Sequence, residues 1–232
     1  MPALVDDVVA FVPAPGARVV FGLAGPPAAG KSTLARYLVR AVNARLGADV
    51  AAYVPLDGFH LSNEQLTRIG LLDRKGAPDT FDAWGYAALL ARLVDERARD
   101  VYVPDYDRTL HEPVAARHVV TPAARLVVTE GNYLAADTPA WREARAHIDV
   151  LWYVDAPDAI REFRLVDRQL AGGRDEVAAR DWVTRSDRPN GEWVKPSRAA
   201  CDRAVGPEDL PADLGEGLPP AGPAGPVDQS SD

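Results

Sequence analysis

The residues with the most legible chemistry lie in the stretch GLAGPPAAGKSTLARYL, Gly22 to Leu38. Within it GPPAAGKS, Gly25 to Ser32, has the G-x-x-x-x-G-K-[ST] spacing of a phosphate-cradling loop, the Walker A pattern. Such a loop turns its backbone N–H groups inward around an anion. Gly25 and Gly30 supply backbone angles and close approaches that a Cβ blocks, with Pro26, Ala28 and Ala29 between them. A helix starting at Lys31 aims its N-terminal dipole at the same anion. The N–H groups through Thr33 are expected to hold phosphates, Lys31 to reach the β/γ-phosphates of ATP, and Ser32 to ligate Mg2+. A glycine-proline turn that merely precedes a helix is the plain alternative. The stretch follows an apolar run of strand length and opens a helix, as the phosphate-binding reading requires.

Two further sets of residues point to phosphoryl transfer. The second strand ends in PLDGFH, which places Asp57 at a strand C-terminus beside the loop, where ligands sit in doubly wound sheets. A carboxylate there can take or orient the proton of an attacking hydroxyl; a simple Asp-Gly turn is the alternative. Arg161, Arg164, Arg168 and Arg174 fall in one helical region, with Arg164 and Arg168 on one face and a break at Gly172-Gly173. This pattern suits a helical lid in which Arg164, Arg168 and Arg174 bring charge to the transferring group; a solvated surface helix carries the same residues. His60 is a candidate substrate contact or a solvent-facing turn residue. Other nucleotide-protein signatures are missing: no Asn-Lys-x-Asp, no Leu-Ser-Gly-Gly-Gln, and VVTEGNY where an Asp-Glu pair would end a Walker B strand.

The elements that must position these groups read as an α/β chain. A short helix covers residues 3–11. ARVVFGLAG is a strand buried on both faces, Leu34, Leu38, Val42 and Leu46 form one helical stripe, and residues 49–56 form the next strand. Residues 61–80 read as a long functional loop with one helical turn, 81–98 as a helix, and DVYVPDY and ARHVVTP as short extended pieces. ARLVVTEGNYL and IDVLWYVDAP are strands, WREARAH, 157–171 and 174–186 are helices, and SRAACDRAV holds a last short strand. RSDRPNGEW, 185–193, has the polar mix of a loop that closes over the site. Trp84, Trp141, Trp152 and Trp182 are expected to pack helices on the sheet.

Composition sets the limits. The formal charge of −8 over 232 residues argues against nucleic acid or a membrane surface as partner. Lysine occurs only at 31, 75 and 195, Cys201 is alone, and the histidines are too scattered for a zinc site. The N-terminus lacks a basic region and no apolar run approaches ~20 residues, so a cytoplasmic protein without a membrane partner is expected. Residues 1–205 form one domain, and the Pro/Gly/Asp-rich 206–232 reads as a disordered tail.

Taken in order, GPPAAGKST, PLDGFH, PDTFDAWGY, PDYDRTLH, TEGNY and FRLVDRQLAGGRD resemble the phosphoribulokinase/uridine kinase family, which includes bacterial-type pantothenate kinases. The resemblance runs from about Ala17 to Val205. It implies a P-loop NTPase fold with a mainly parallel five-stranded sheet, helices on both faces and a helical lid. It implies ATP, Mg2+ and a small-molecule hydroxyl acceptor, with Asp57 as base, Glu130 near Mg2+ or substrate, and Tyr106 and His111 lining the acceptor pocket. Where uridine kinases carry a Phe-Asp pair this chain has Lys75-Gly76, which removes a ribose-binding carboxylate. Arg74 and Lys75 suggest an anionic acceptor or a basic edge. A sugar, a nucleoside and pantothenate stay open as acceptors, a homodimer stays open as the assembly, and a nucleotide-dependent regulatory ATPase is the rival reading.

Overall fold

The structure, a computed structural model, describes residues 3–211 and 214. Five strands form one sheet in the order β2-β5-β1-β6-β7, with every neighbouring pair parallel. They are β1 (Val19–Ala24), β2 (Ala51–Pro55), β5 (Leu126–Glu130), β6 (Val150–Val154) and β7 (Arg203–Val205). Their apolar runs are nearly continuous because both faces are covered. Alternate β1 residues divide between two cores: Phe21 and Leu23 pack under α1 (Ala3–Ala10) and α2 (Lys31–Leu46), Val20 and Ala24 under α4 (Ala83–Asp95) and α5 (Pro139–Ala146).

Parallel pairing brings all strand C-termini to one edge. Leu23 and Pro55 both lie in register with Glu130, so the turns after β1, β2 and β5 leave the sheet at one level. Outside the sheet, β3 (Val101–Asp107) and β4 (Glu112–Val120) form an antiparallel hairpin with a register shift between Val103 and Asp105. Pro104, which has no N–H to give to the ladder, sits at that shift.

The stretch 61–80 holds α3 (Asn63–Arg68), whose N-cap Ser62 accepts the Gln65 N–H, and two 3-10 turns. After β6 come α6 (Asp158–Ala171), α7 (Glu176–Trp182) and α8 (Arg188–Val194). The expected loop at 185–193 is instead a π-turn, Val183–Asp187, running into α8. Pro189 falls in the first turn of α8 and Gly191 is buried, so polar composition concealed a helix. Trp141 and Trp152 are buried as expected, whereas Trp84 is 60% exposed because it begins α4 on the face away from the core. Most of the expected tail lies outside the described residues. Its first part, Pro207–Asp209, is a 3-10 turn, and Leu210 and Leu214 pack beside the α1/α2 core. Among the described residues no helix is long and apolar enough to cross a membrane.

Candidate active site

The loop Gly25–Gly30 connects β1 to α2 and is almost entirely buried. Gly25 (φ 142°), Ala28 (φ 61°) and Gly30 (φ 104°) lie in the left-handed half of backbone space. A Cβ on Gly25 would collide with the Val154 carbonyl of the neighbouring strand. Lys31, 6% exposed, donates from Nζ to the Pro26 carbonyl at 2.9 Å and to Asn132 Oδ1 at 2.7 Å, which holds its cation at the mouth of the loop. Burial lowers its pKa to about 8, with the charges of Glu130 and Asp57 working the other way.

Two carboxylates face this lysine from the adjoining strands. Asp57 follows β2 in the 3-10 turn Leu56–Phe59, with Arg108 of the hairpin 3.4 Å away. Burial pushes its pKa up, but His60, Arg108, Arg168 and Lys31 together outweigh burial and hold it below the ordinary carboxylate value. Glu130, the last residue of β5 and 4% exposed, accepts the Tyr53 hydroxyl at 2.8 Å and bonds the Ser32 side chain. Burial and the Asp57 charge raise its pKa, only partly offset by Lys31 and these two hydroxyls. The donor set of a hydroxyl and a carboxylate fits a hard divalent cation completed by phosphate oxygens and water. Among the described residues no cluster of three or more His, Cys, Asp and Glu forms an all-protein cage.

Beyond Asp57 lies an aromatic cluster. His60 bonds the Asp57 carbonyl through Nδ1 at 2.8 Å, and its ring centroid lies 4.0 Å from Phe81 and 4.8 Å from Tyr106. Burial lowers the His60 pKa and raises that of Tyr106 to about 12, so both rings are neutral near pH 7. Lys75 lies 5.1 Å over the Tyr106 ring, but its Nζ donates to Asn63 Oδ1 at 2.6 Å and to the His111 carbonyl at 2.7 Å. His111 thus contributes its carbonyl from a φ of 56°, while its side chain is exposed. Arg74 is not drawn in: it is exposed on the turn Leu72–Arg74, 3.7 Å from Asp79.

The arginines of α6 divide. Arg164 Nη1 donates to the Ala28 carbonyl at 3.1 Å. Arg168 belongs to the same electrostatic cluster, acting on Lys31 and Asp57 and feeling Arg108 in return. Arg174 turns to Gln169 and lies 4.3 Å over the Trp182 ring. Asn132, Arg108, Tyr53 and Arg161 join the site without having been assigned a part in it from the sequence. Asn132 and Arg108 sit inside the motifs TEGNY and PDYDRTLH, but residue type alone does not say which neighbour each faces. On the opposite side of the loop, at the ends of β6 and β7, a cleft of about 470 Å3 is lined by Asp155, Pro157, Arg198, Gly206 and Pro207.

The sequence matches the profile of the Phosphoribulokinase / Uridine kinase family over residues 20–206. The chain belongs to that family. Among its relatives, a Schizosaccharomyces pombe protein named as a candidate uridine kinase is 33% identical over 191 residues, covering 80% of this chain and 81% of that protein. Escherichia coli YggC is 36% identical over 181 residues, 78% of this chain and 74% of that protein. A solved structure from Silicibacter sp. TM1040, described as a candidate fructose transport system kinase, superposes with a TM-score of 0.79 at 37% identity, covering 88% and 97% of the two chains. The sheet and loop described above are those of a P-loop kinase, and this family uses ATP.

Proposed function

We propose that this kinase transfers the γ-phosphoryl group of Mg-ATP to a hydroxyl of a small neutral acceptor, a sugar or nucleoside. The observation that carries the reading is the position of Asp57. An ionised carboxylate stands between the phosphate loop with Lys31 and an aromatic cluster of His60, Phe81 and Tyr106. An acceptor lying on that aromatic wall presents a hydroxyl to Asp57, which orients it and takes its proton as the phosphoryl group departs. The N–H groups of the loop and Lys31 hold the phosphates. Ser32 and Glu130 would hold Mg2+, which would offset the charge of the phosphates. Arg164 and Arg168 add charge at the transferring group, and Arg174 joins them only by leaving Trp182. The cleft at the ends of β6 and β7 offers room for the nucleotide base.

A neutral acceptor is favoured over an anionic one for a specific reason. The two cations that the sequence offers for an anion are occupied: Lys75 ties α3 to the hairpin and Arg74 faces Asp79. The tilted aromatic rings suit the face of a sugar or a base, and two relatives are named as a candidate uridine kinase and a candidate fructose transport system kinase. Pantothenate, a carboxylate, fits this pocket less well.

The test is ADP release from Mg-ATP with hexoses, pentoses, nucleosides and pantothenate, run with Asp57→Asn beside the wild type. We expect one neutral acceptor to stimulate turnover, and Asp57→Asn to lower it by ~10²–10⁴ with ATP affinity retained. Full turnover in the variant sinks the assignment of Asp57. Stimulation by pantothenate alone sinks the neutral acceptor. Release of ADP that no acceptor changes favours the regulatory ATPase.

A further inference from the structure

Arg161 is the one arginine of α6 that the mechanism above leaves without a task, and it is the most buried of them, 3% exposed. A guanidinium is rarely buried unless it is paired, and each of its arms reaches a different element. Nη1 donates to the carbonyl of Pro27 in the phosphate loop at 3.2 Å. Nη2 donates to Asp158 Oδ1 at 2.6 Å, and the other oxygen of Asp158 accepts Lys195 Nζ at 2.8 Å from the end of α8. Gly191 of α8 lies flat against the guanidinium: a Cβ there would stand 3.0 Å from Nη1. The Nε–H is buried without an acceptor.

We infer that Arg161 is a positioning residue that couples the phosphate loop to the lid, so that nucleotide on the loop orders α6 and α8. The inference rests on the nucleotide-binding reading of the loop. The Pro27 carbonyl, drawn outward by Arg161, and the Ala28 carbonyl, drawn by Arg164 one turn further along α6, lie just before and at the left-handed residue Ala28. Holding consecutive carbonyls outward leaves the N–H groups of the loop to face phosphate, apart from that of Ala29, which donates to the Pro26 carbonyl at 3.2 Å. Phosphate that fixes these N–H groups in turn fixes the carbonyls, and through Arg161 it fixes Asp158, Gly191 and Lys195. Coupling of this kind is reciprocal: what the nucleotide gives to the order of the lid, the lid returns as nucleotide affinity.

The experiment is hydrogen–deuterium exchange of the full chain with and without saturating Mg·AMPPNP, together with calorimetric affinity for the same compound. In the wild type, exchange should slow at 25–33 and across 158–194. In Arg161→Gln the slowing at 25–33 should persist at saturation, the slowing across 158–194 should vanish, and affinity should fall roughly tenfold, within the range of ordinary site coupling. Arg161→Lys should behave alike, because one ammonium head lacks the fixed fork that spans Pro27 and Asp158. Gly191→Ala, which crowds the guanidinium without removing it, serves if the arginine variants fail to fold, and should weaken the same lid protection. Full lid protection in a folded variant overturns the coupling, as does a wild type in which only 25–33 responds. A wild type with no response at 25–33 overturns the nucleotide reading beneath it as well.

Discussion

Gly58→Ala offers a direct test of how the proposed acceptor site is assembled. Gly58 is buried and follows Asp57 in the turn that carries the proposed base. Its φ is outside the left-handed region, so alanine meets no conformational penalty there. The conflict is one of space: a Cβ would stand 2.8 Å from the Asp105 nitrogen, and nearer still to the Pro104 carbonyl, where ordinary contacts begin at 3.4 Å. These are backbone atoms of β3, held by pairing with β4, and cannot yield by changing rotamer. The turn and the hairpin must therefore move apart. Overpacking of this sort costs about 1–3 kcal/mol. The same movement parts Asp57 from Arg108 and His60 from Tyr106, and a misplacement near ~1 Å can cost ~10²-fold in rate. Denaturant unfolding should show the stability loss, acceptor-dependent ADP release should fall by ~10–10²-fold, and ATP affinity by calorimetry should hold. Gly172→Ala is the control, since its Cβ would meet nothing closer than 3.4 Å. A Gly58→Ala protein with wild-type stability and turnover would refute the close packing of turn on hairpin.

Two pH predictions follow from the charges around the loop. Arg108→Gln removes a cation that lowers the Asp57 pKa, so the acid limb of kcat/KM should move to higher pH. The sign follows from Asp57 acting in its ionised form: activity is lost as pH falls through its pKa, which in the wild type the surrounding cations hold below the ordinary carboxylate value. An unmoved limb in the variant would assign that limb to another group. Lys31, with its pKa lowered to about 8 by burial, should lose its proton in the nucleotide-free protein as pH rises. Calorimetric affinity for ATP should accordingly decline above about pH 8, and Lys31→Arg, which stays charged, should abolish that decline or else remove Lys31 as its cause.

The elements that the sequence makes plain are those where the backbone itself is constrained. Glycines at 25 and 30, a buried strand before them and a helical stripe after them leave one local solution, and the structure has it. The register of Leu23, Pro55 and Glu130 likewise follows from parallel pairing, so Asp57 and Glu130 converge as their strand ends imply. Directions of long side chains are not encoded this way. Four arginines along α6 and its end look alike in sequence, yet one is buried against Pro27, one caps Ala28, one joins the Asp57 cluster and one stacks on Trp182. Lys75 misleads for the same reason: its charge suggests an anion, while its neighbours Asn63 and the His111 carbonyl use its protons. The segment 185–193 was hidden because the glycine and proline that mark a loop are here a packing site for a guanidinium and a helix start.

The opposite behaviour of the two acids is the part that no reading of residue types supplies. Asp57 and Glu130 are both carboxylates at strand ends, the first half-buried and the second buried, and both are acted on by Lys31. Asp57 is ringed by the cations of Arg108, Arg168 and Lys31, so its ionised form is secured before any ligand arrives. Glu130 has only Lys31 as its main opposing charge and feels Asp57 as a like one, so its ionised form is under-compensated. A divalent cation held between Ser32 and the phosphates would supply that compensation, whereas near Asp57 it would compete with cations already there. Environments that push neighbouring acids apart in pKa assign them different work. On the proposed reading, the deficit of positive charge at Glu130 draws the metal to the phosphate side and leaves Asp57 open to the acceptor hydroxyl.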